Sequence, residues 1–524
     1  MRTSPQGIWG YLAALALVAG AEGVAAGQDW TREGAAAASA RPRRDRWFGS
    51  GVRRVQATPD DFAAPALPDP NLPGGAVSGT TGIPSGAPAA NNFELGQPAA
   101  NRAFGGGEPT TATEAVEEAE EAEAPDTNIL MRALGIEDSP IKFYGWIQNS
   151  YTGNTNGKPR NGENFSVFPN HRANEWLGNQ YYLVVEKPLE QNDEVNFGFR
   201  VDNLFGHDWQ FNYMQGFFNR AFRLNQFAGY DIAQFYAEAH LPILTEGGLD
   251  VKGGRFYTLA GYEVVPATGR PLLSVPYMFT FGQPFTHTGV LTTLHLTDRI
   301  NLYNGAINGW DRWVNENYDW GYIGGFSATS ESEKTTLTFI TVWGPNQFPK
   351  QLPADQQIFP TGYVNIPSLA GLPNPGYSSN DRVLFTTVLS HQWSDKLTQV
   401  METDQAWEQN IPGLGSPIVD GVVANGTPKS AQWYSFGNWF LYQFNDKLTG
   451  VWRSEIFQDA QGVRTGTLKG DNYSEFTLGM IYKPCPNLWL RPEARYDFAQ
   501  FGTPFSDGTR DDQFTLAIDA ILLY

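Results

Sequence analysis

Arg491, Glu493, Arg495 and Asp497 occupy alternate positions of one short run, separated by Pro492, Ala494 and Tyr496. In an extended strand this spacing puts all four charges on one face and the apolar residues on the other. A row of charges of both signs facing water in a confined space selects ions by its field and transforms nothing. Arg453 and Glu455 repeat the pattern one hairpin earlier at the same parity, and Arg200, Asp202, Glu238, Arg255 and Asp519 are polar-face candidates of the same kind. The competing reading of these rows is a lattice of ion pairs that stiffens a sheet.

Two further charges, Glu263 and Arg270, stand in a long apolar connection, GYEVVPATGRPLLSVPYMFTFGQPFT, running from Ala260 to Thr286. Folded inward, such a connection would narrow a lumen, and its charges would count because low-dielectric walls focus the field. Folded outward, it would pack its Tyr, Phe and Met over a rim.

Hydrolytic or metal chemistry finds less support. The six histidines sit in loops or near strand ends, and no pair has ligand spacing with a carboxylate that would close a zinc site. No spacing of Ser, His and acid singles out a nucleophilic set. The loops Asn154-Thr155-Asn156-Gly157 and Asp459-Ala460-Gln461-Gly462 fall short of a full calcium loop, so ordinary turn chemistry accounts for them. Cys485, the single cysteine, stands between two prolines in a stiff turn, with no nearby cation to activate it. The expectation is therefore a chain with no catalytic residues, metal or cofactor.

The elements that must carry these rows are strands. After Ile141 the sequence breaks into short alternating runs separated by polar turns. At the end of the chain Phe514, Leu516, Ile518, Ala520, Leu522 and Tyr524 share one face, opposite Thr515, Ala517 and Asp519. Three reversals have related wording: Trp393-Ser394-Asp395-Lys396, Phe444-Asn445-Asp446-Lys447 and Leu296-Thr297-Asp298-Arg299. Asn, Asp and Ser suit such turns because they bond their own backbone. Similar short reversals fall at 189–194, 245–248, 330–333 and 483–486. Seven short turns and eight longer connections imply about sixteen antiparallel strands. Pro492 removes a ladder donor, so a bulge is expected there, or a position where that donor is not needed.

No stretch after the amino terminus holds the roughly 18 consecutive apolar residues of a transmembrane helix. A chain that spans a bilayer without such helices must do so as a closed sheet. Residues 1–27 read as a secretory signal peptide: Arg2, an apolar run from Ile8 to Val18, then small residues. Residues 28–140, rich in Ala, Pro, Gly and Glu, show no sustained period and read as a disordered periplasmic segment. Within it, 128–134 could make a short turn of helix just ahead of the barrel at 141–524. The aromatic content, 14%, fits the girdles of a membrane barrel.

The net charge of −19 excludes a phosphate-binding surface and with it nucleic acid as a partner. Residues 1–140 hold 10 of the 36 bases and 18 of the 55 acids, which leaves the barrel region at −11. A weak cation preference is the natural expectation for any pore.

The stretches QFNDKLTGVWRSEIFQDAQG at 443–462 and FTLGMIYKPCPNLWLRPEARYDF at 476–498, with Phe143-Tyr144-Gly145-Trp146-Ile147 and Gly261-Tyr262-Glu263-Val264-Val265-Pro266 upstream, resemble the outer-membrane β-barrel porins of the OmpL-like type. The resemblance covers most of 141–524. It implies a porin-like barrel and no established catalytic or ligand residues.

Together these readings lead to an all-β chain: a transmembrane antiparallel barrel in the cell outer membrane, in contact with outer-membrane lipid. The expected activity is passive diffusion of small hydrophilic solutes or ions. A homotrimer is compatible with a barrel of this size by fold analogy alone. The alternatives are a non-conducting structural or adhesive barrel whose outer loops bind a ligand, and a barrel-borne lipid hydrolase.

Overall fold

The computed structural model describes residues 129–524 apart from 161, 166–167, 213, 215–216, 218–226, 315–318, 346–380, 412–417, 420–421, 424–428 and 468. The signal-peptide expectation, most of the 28–140 segment and the loop 346–380 lie outside the described residues.

A six-residue helix, α1 (Ile129–Leu134), precedes the sheet and buries Met131. Sixteen long strands follow among the described residues. They are β1 Lys142–Asn154, β2 Glu175–Lys187, β3 Asn196–Gly206, β4 Gly229–Leu241, β5 Leu249–Tyr257, β6 Thr286–Thr297, β7 Ile300–Ile307 and β8 Gly321–Thr329, then β9 Thr335–Pro345, β10 Asp381–Ser394, β11 Leu397–Ile411, β12 Lys429–Asn445, β13 Leu448–Asp459, β14 Asp471–Cys485, β15 Leu488–Ala499 and β16 Asp512–Leu523. Each pairs antiparallel with its sequence neighbours, and β1 pairs with β16 to close the barrel. Closure leaves no free edge, the condition a sheet must meet in lipid.

The short turns form as their residues dictate. Ser394 Oγ accepts the N–H of Leu397 at 3.2 Å, Asn445 Oδ1 that of Lys447 at 2.9 Å, and Thr297 Oγ1 that of Arg299 at 3.2 Å. A register shift sits beside each of these turns and beside Cys485. No shift falls at Pro492, which pairs with Ile518 in an unbroken register. Of the two outcomes open for Pro492, the bulge does not occur.

The outward faces are apolar. Trp176, Phe197, Leu478, Ile456 and Leu516 are all more than half exposed, a surface that only lipid would cover favourably. Phe514, Leu516, Ile518, Ala520 and Leu522 point out, and Thr515, Ala517 and Asp519 point in and are buried.

The inward faces divide. On β6–β11 they carry Leu291, Tyr303, Ile307, Ile323, Ile340, Val342, Leu384, Val388 and Val400, all buried in one apolar cluster with Tyr277, Met278 and Phe281. Charges stand on the inward faces of β13–β16 and β2–β5, and also on β10 and β11 beside the apolar residues, at Arg382, Glu402, Asp404 and Glu408. A wholly wet lumen, as the strand alternation suggests, is not what forms: half of the wall is oily and is covered from within.

Candidate functional site: the loop-filled lumen

The connection between β5 and β6, residues 258–285, supplies that cover. Its ties reach opposite walls. On one side Gln180 of β2 receives the N–H of Ala267 at 3.0 Å and donates to the Val265 carbonyl at 2.8 Å. On the other, Glu402 of β11 accepts the N–H of Tyr262 at 2.9 Å, and Trp433 of β12 donates to the Gly282 carbonyl at 3.0 Å. A segment tied to β2 and β11 of a sixteen-stranded ring crosses the lumen.

From Arg270 to Phe285 every loop residue is buried, so its backbone groups need partners other than water. The charged rows provide them. Arg491 donates to the carbonyls of Ala267 and Arg270 at 3.0 and 2.6 Å, Arg453 to that of Ser274 at 2.5 Å, and Arg495 to that of Val275 at 2.7 Å. Glu493 accepts the N–H groups of Leu273 and Ser274, and Glu455 those of Tyr277 and Met278, the start of a single π turn, Met278–Gly282. Arginines thus meet carbonyls and carboxylates meet N–H groups. The alternation of signs on β13 and β15 matches the two kinds of orphan group a buried loop presents.

The same side chains neutralise one another. Arg453 lies 2.6 Å from Glu475, Arg495 lies 2.8 Å from Asp497, and Arg491 pairs with Asp519. All six are fully buried. Buried pairs of this kind add little net stability, but removing one partner costs about 3–5 kcal/mol because a lone charge is left behind.

The thirteen charges singled out from sequence therefore fall into two groups. Arg453, Glu455, Arg491, Glu493, Arg495, Asp497 and Asp519 point inward, as their parity requires, but the loop seals them from the water they were expected to face. Arg255 is likewise sealed, bound to Asp231 at 2.8 and 2.9 Å and to the Asn212 carbonyl. Glu263 and Arg270 are buried inside the loop rather than presented to a pore. Trp439 donates to Glu263 at 3.0 Å, and the nearest ion-pair partner of Arg270 is Asp208 at 3.7 Å.

The second group lies near the short turns, where Arg200 and Glu238 keep contact with water. Arg200 is 20% exposed, Glu186 19%, Glu238 14% and Lys252 5%, with Asp202 buried behind Arg200. Glu186 escaped sequence reasoning because it ends an apolar run, YYLVVEK, with no alternating neighbours to mark its face. Lys252 escaped it likewise, in the short β5.

Also unforeseen is a chain of hydrogen bonds across four neighbouring strands. Asp250 takes His240 Nδ1 at 2.6 Å and His295 Nε2 at 2.9 Å, and His295 Nδ1 meets Asn301 at 2.8 Å. These residues are dispersed in sequence and meet only through the register of β4 to β7. Among the described residues no group of His, Cys, Asp and Glu is arranged to hold a metal ion.

Fold and site together define a closed sixteen-stranded outer-membrane barrel with a lipid-facing apolar belt and an inward-folded loop. Residues 140–524 match the family model described as “Putative beta-barrel porin-2, OmpL-like”. The chain belongs to that family, an outer-membrane porin family, as the residues quoted from 443–498 led one to expect. No curated relative matches the chain.

Among solved structures it is similar to the outer membrane channel DcaP of Acinetobacter baumannii, at 10% identity and a TM-score of 0.45 over 73% of this chain and 97% of that one. It is similar also to a trimer form of OmpT of Vibrio cholerae, at 11% identity and 0.44 over 73% and 99%. OmpF of Salmonella typhi in complex with daunomycin gives 11% and 0.46 over 73% and 97%.

Proposed function

We propose that this outer-membrane barrel is a passive diffusion channel for small hydrophilic solutes and ions, with a weak preference for cations and no chemistry of its own. The observation that carries the reading is the loop 258–285, which folds inward and crosses the lumen from β2 to β11 as a constriction would. A water-accessible band of charged side chains, Glu186, Arg200 and Glu238, persists on β2–β4 at the short-turn end. The direction of selectivity follows from the acidic excess of the barrel region. A homotrimer is proposed on fold analogy alone, and light scattering of the detergent-solubilised protein tests it.

A second reading has its own support. The complete burial of Arg453, Arg491 and Arg495 with their partners favours a barrel that is closed at rest, whose outer loops would then be the working surface. Single-channel recording of the refolded full chain in a planar bilayer, under a KCl gradient, separates the two. Stable steps with a cation-biased reversal potential support the channel. A folded barrel that stays silent at all voltages rejects it in favour of the closed one.

A further inference from the structure

Building on the channel reading, we propose that ion selectivity is set by Glu186, Arg200, Glu238 and Lys252 at the short-turn end, and not by the larger ionic lattice under the loop. The sheet register assembles these four. Glu186 on β2 stands opposite Arg200 on β3, and Glu238 on β4 stands opposite Lys252 on β5. Between the two pairs, Glu238 faces Gly198, where an added Cβ would meet Glu238 Cγ and Oε1 at 3.1 Å. The glycine leaves the carboxylate room to lie across β3 toward Arg200. Four adjacent strands thereby carry one continuous band.

Its members are fixed rather than waving in solvent. Arg200 reaches Glu186 at 3.0 Å and Asp202 at 2.7 Å, Tyr144 donates to Glu186 at 2.8 Å, and Lys252 reaches Glu238 at 3.2 Å while lying 4.0 Å above the Tyr236 ring. Tyr144 and Tyr236 lie against the band and displace water from it, so a small charge imbalance acts more strongly on a passing ion. Of the band's members in contact with water, two are carboxylates, Glu186 and Glu238, and one is a cation, Arg200, while Lys252 is buried. The band is therefore net negative and should admit small inorganic cations such as potassium ahead of chloride. The buried lattice cannot compete in this role. Its charges are out of contact with water and committed to the loop backbone.

The test is the potassium-to-chloride permeability ratio from reversal potentials of the full chain in a KCl gradient. Glu186→Gln with Glu238→Gln should carry the ratio from above unity to below it, and Lys252→Met should raise it. Opposite shifts from the two variants cannot come from a common folding defect. Glu493→Gln, which loosens the loop, should change conductance and leave the ratio where it was. A ratio indifferent to the band variants but moved by Glu493→Gln overturns the proposal while leaving the channel intact. A wild-type barrel that never conducts overturns the channel reading itself, and the proposal with it.

Discussion

Arg453 on β13 holds Ser274 of the inward loop twice, from Nη1 to its carbonyl at 2.5 Å and from Nη2 to its hydroxyl at 3.0 Å. The same guanidinium satisfies Glu475 through Nε at 2.6 Å. Arg453→Met keeps a side chain of similar length but releases the loop and leaves Glu475 without its closest cationic partner. The local cost should be roughly 3–5 kcal/mol, borne by the loop because the strand ladder is untouched. Expected are a barrel with unchanged β-sheet circular dichroism, larger and noisier unitary conductance, and faster proteolysis between Gly261 and Phe285. A variant that recorded like wild type would show that the clamp does not hold the loop.

The seam between β1 and β16 rests on a glycine and a tyrosine. The Tyr524 hydroxyl donates to the Tyr182 carbonyl at 2.8 Å, and its ring lies over Gly145, whose backbone exchanges two hydrogen bonds of 3.0 Å with Tyr524. A Cβ at position 145 would meet the Tyr524 hydroxyl at 2.7 Å and collide with the Tyr182 carbonyl. Gly145→Ala should therefore lower the unfolding midpoint in detergent more than Tyr524→Phe. The latter gives up one hydrogen bond, worth about 0.5–1.5 kcal/mol. The reverse order in urea titrations would mean that the ring contact at the seam is not what the glycine preserves.

The two faces of β14 respond differently to charge. Leu478 points outward and is 64% exposed, while Thr477 beside it is fully buried against Arg453 and Glu475. Arginine at the lipid midplane costs about 2–4 kcal/mol in a barrel. Leu478→Arg should lower stability in lipid bilayers by that order and much less in detergent, where the headgroups can follow the charge. Equal losses in both media, measured by denaturant titration, would place Leu478 away from the apolar belt.

Strand number and direction were legible because turns announce themselves locally. Ser394, Asn445 and Thr297 each hold their own turn through a side-chain oxygen, and that chemistry needs no tertiary partner. The faces of β13 and β15 were legible because their charged side chains recur at a single parity. No such row marks β9, where Leu337 and Phe339 point out while Ile340 and Val342 point in, so periodicity alone cannot assign the oily half of the lumen. The sealing of Arg491 and its neighbours was not legible either. It depends on a loop more than two hundred residues away in sequence. The meeting of His240, Asp250 and His295 depends on register across separate hairpins.

Asp311, in the connection between β7 and β8, offers a pH-dependent test of how that outer connection is anchored. Its Oδ1 accepts the N–H groups of Phe285 and Thr286 at 3.0 and 2.9 Å, where the inward loop rejoins the wall. Burial pushes the carboxyl from 3.8 up to about 6, against the opposing pull of those two N–H groups and of Arg255 and Arg382. The folded-state value thus lies above the unfolded one, so the ionised form is the one the fold disfavours. The penalty is complete above about 6 and disappears as pH falls toward 3.8. Asp311→Asn retains a carbonyl oxygen for both N–H groups without the charge. It should melt above wild type at pH 7, and the gap should shrink steadily on acidification to about pH 4, where the wild-type side chain is itself neutral. Melting curves in detergent at several pH values decide it. A gap that is constant with pH, or one of opposite sign at pH 7, would mean that the carboxylate is held charged by its neighbours and that burial is not the dominant influence on it.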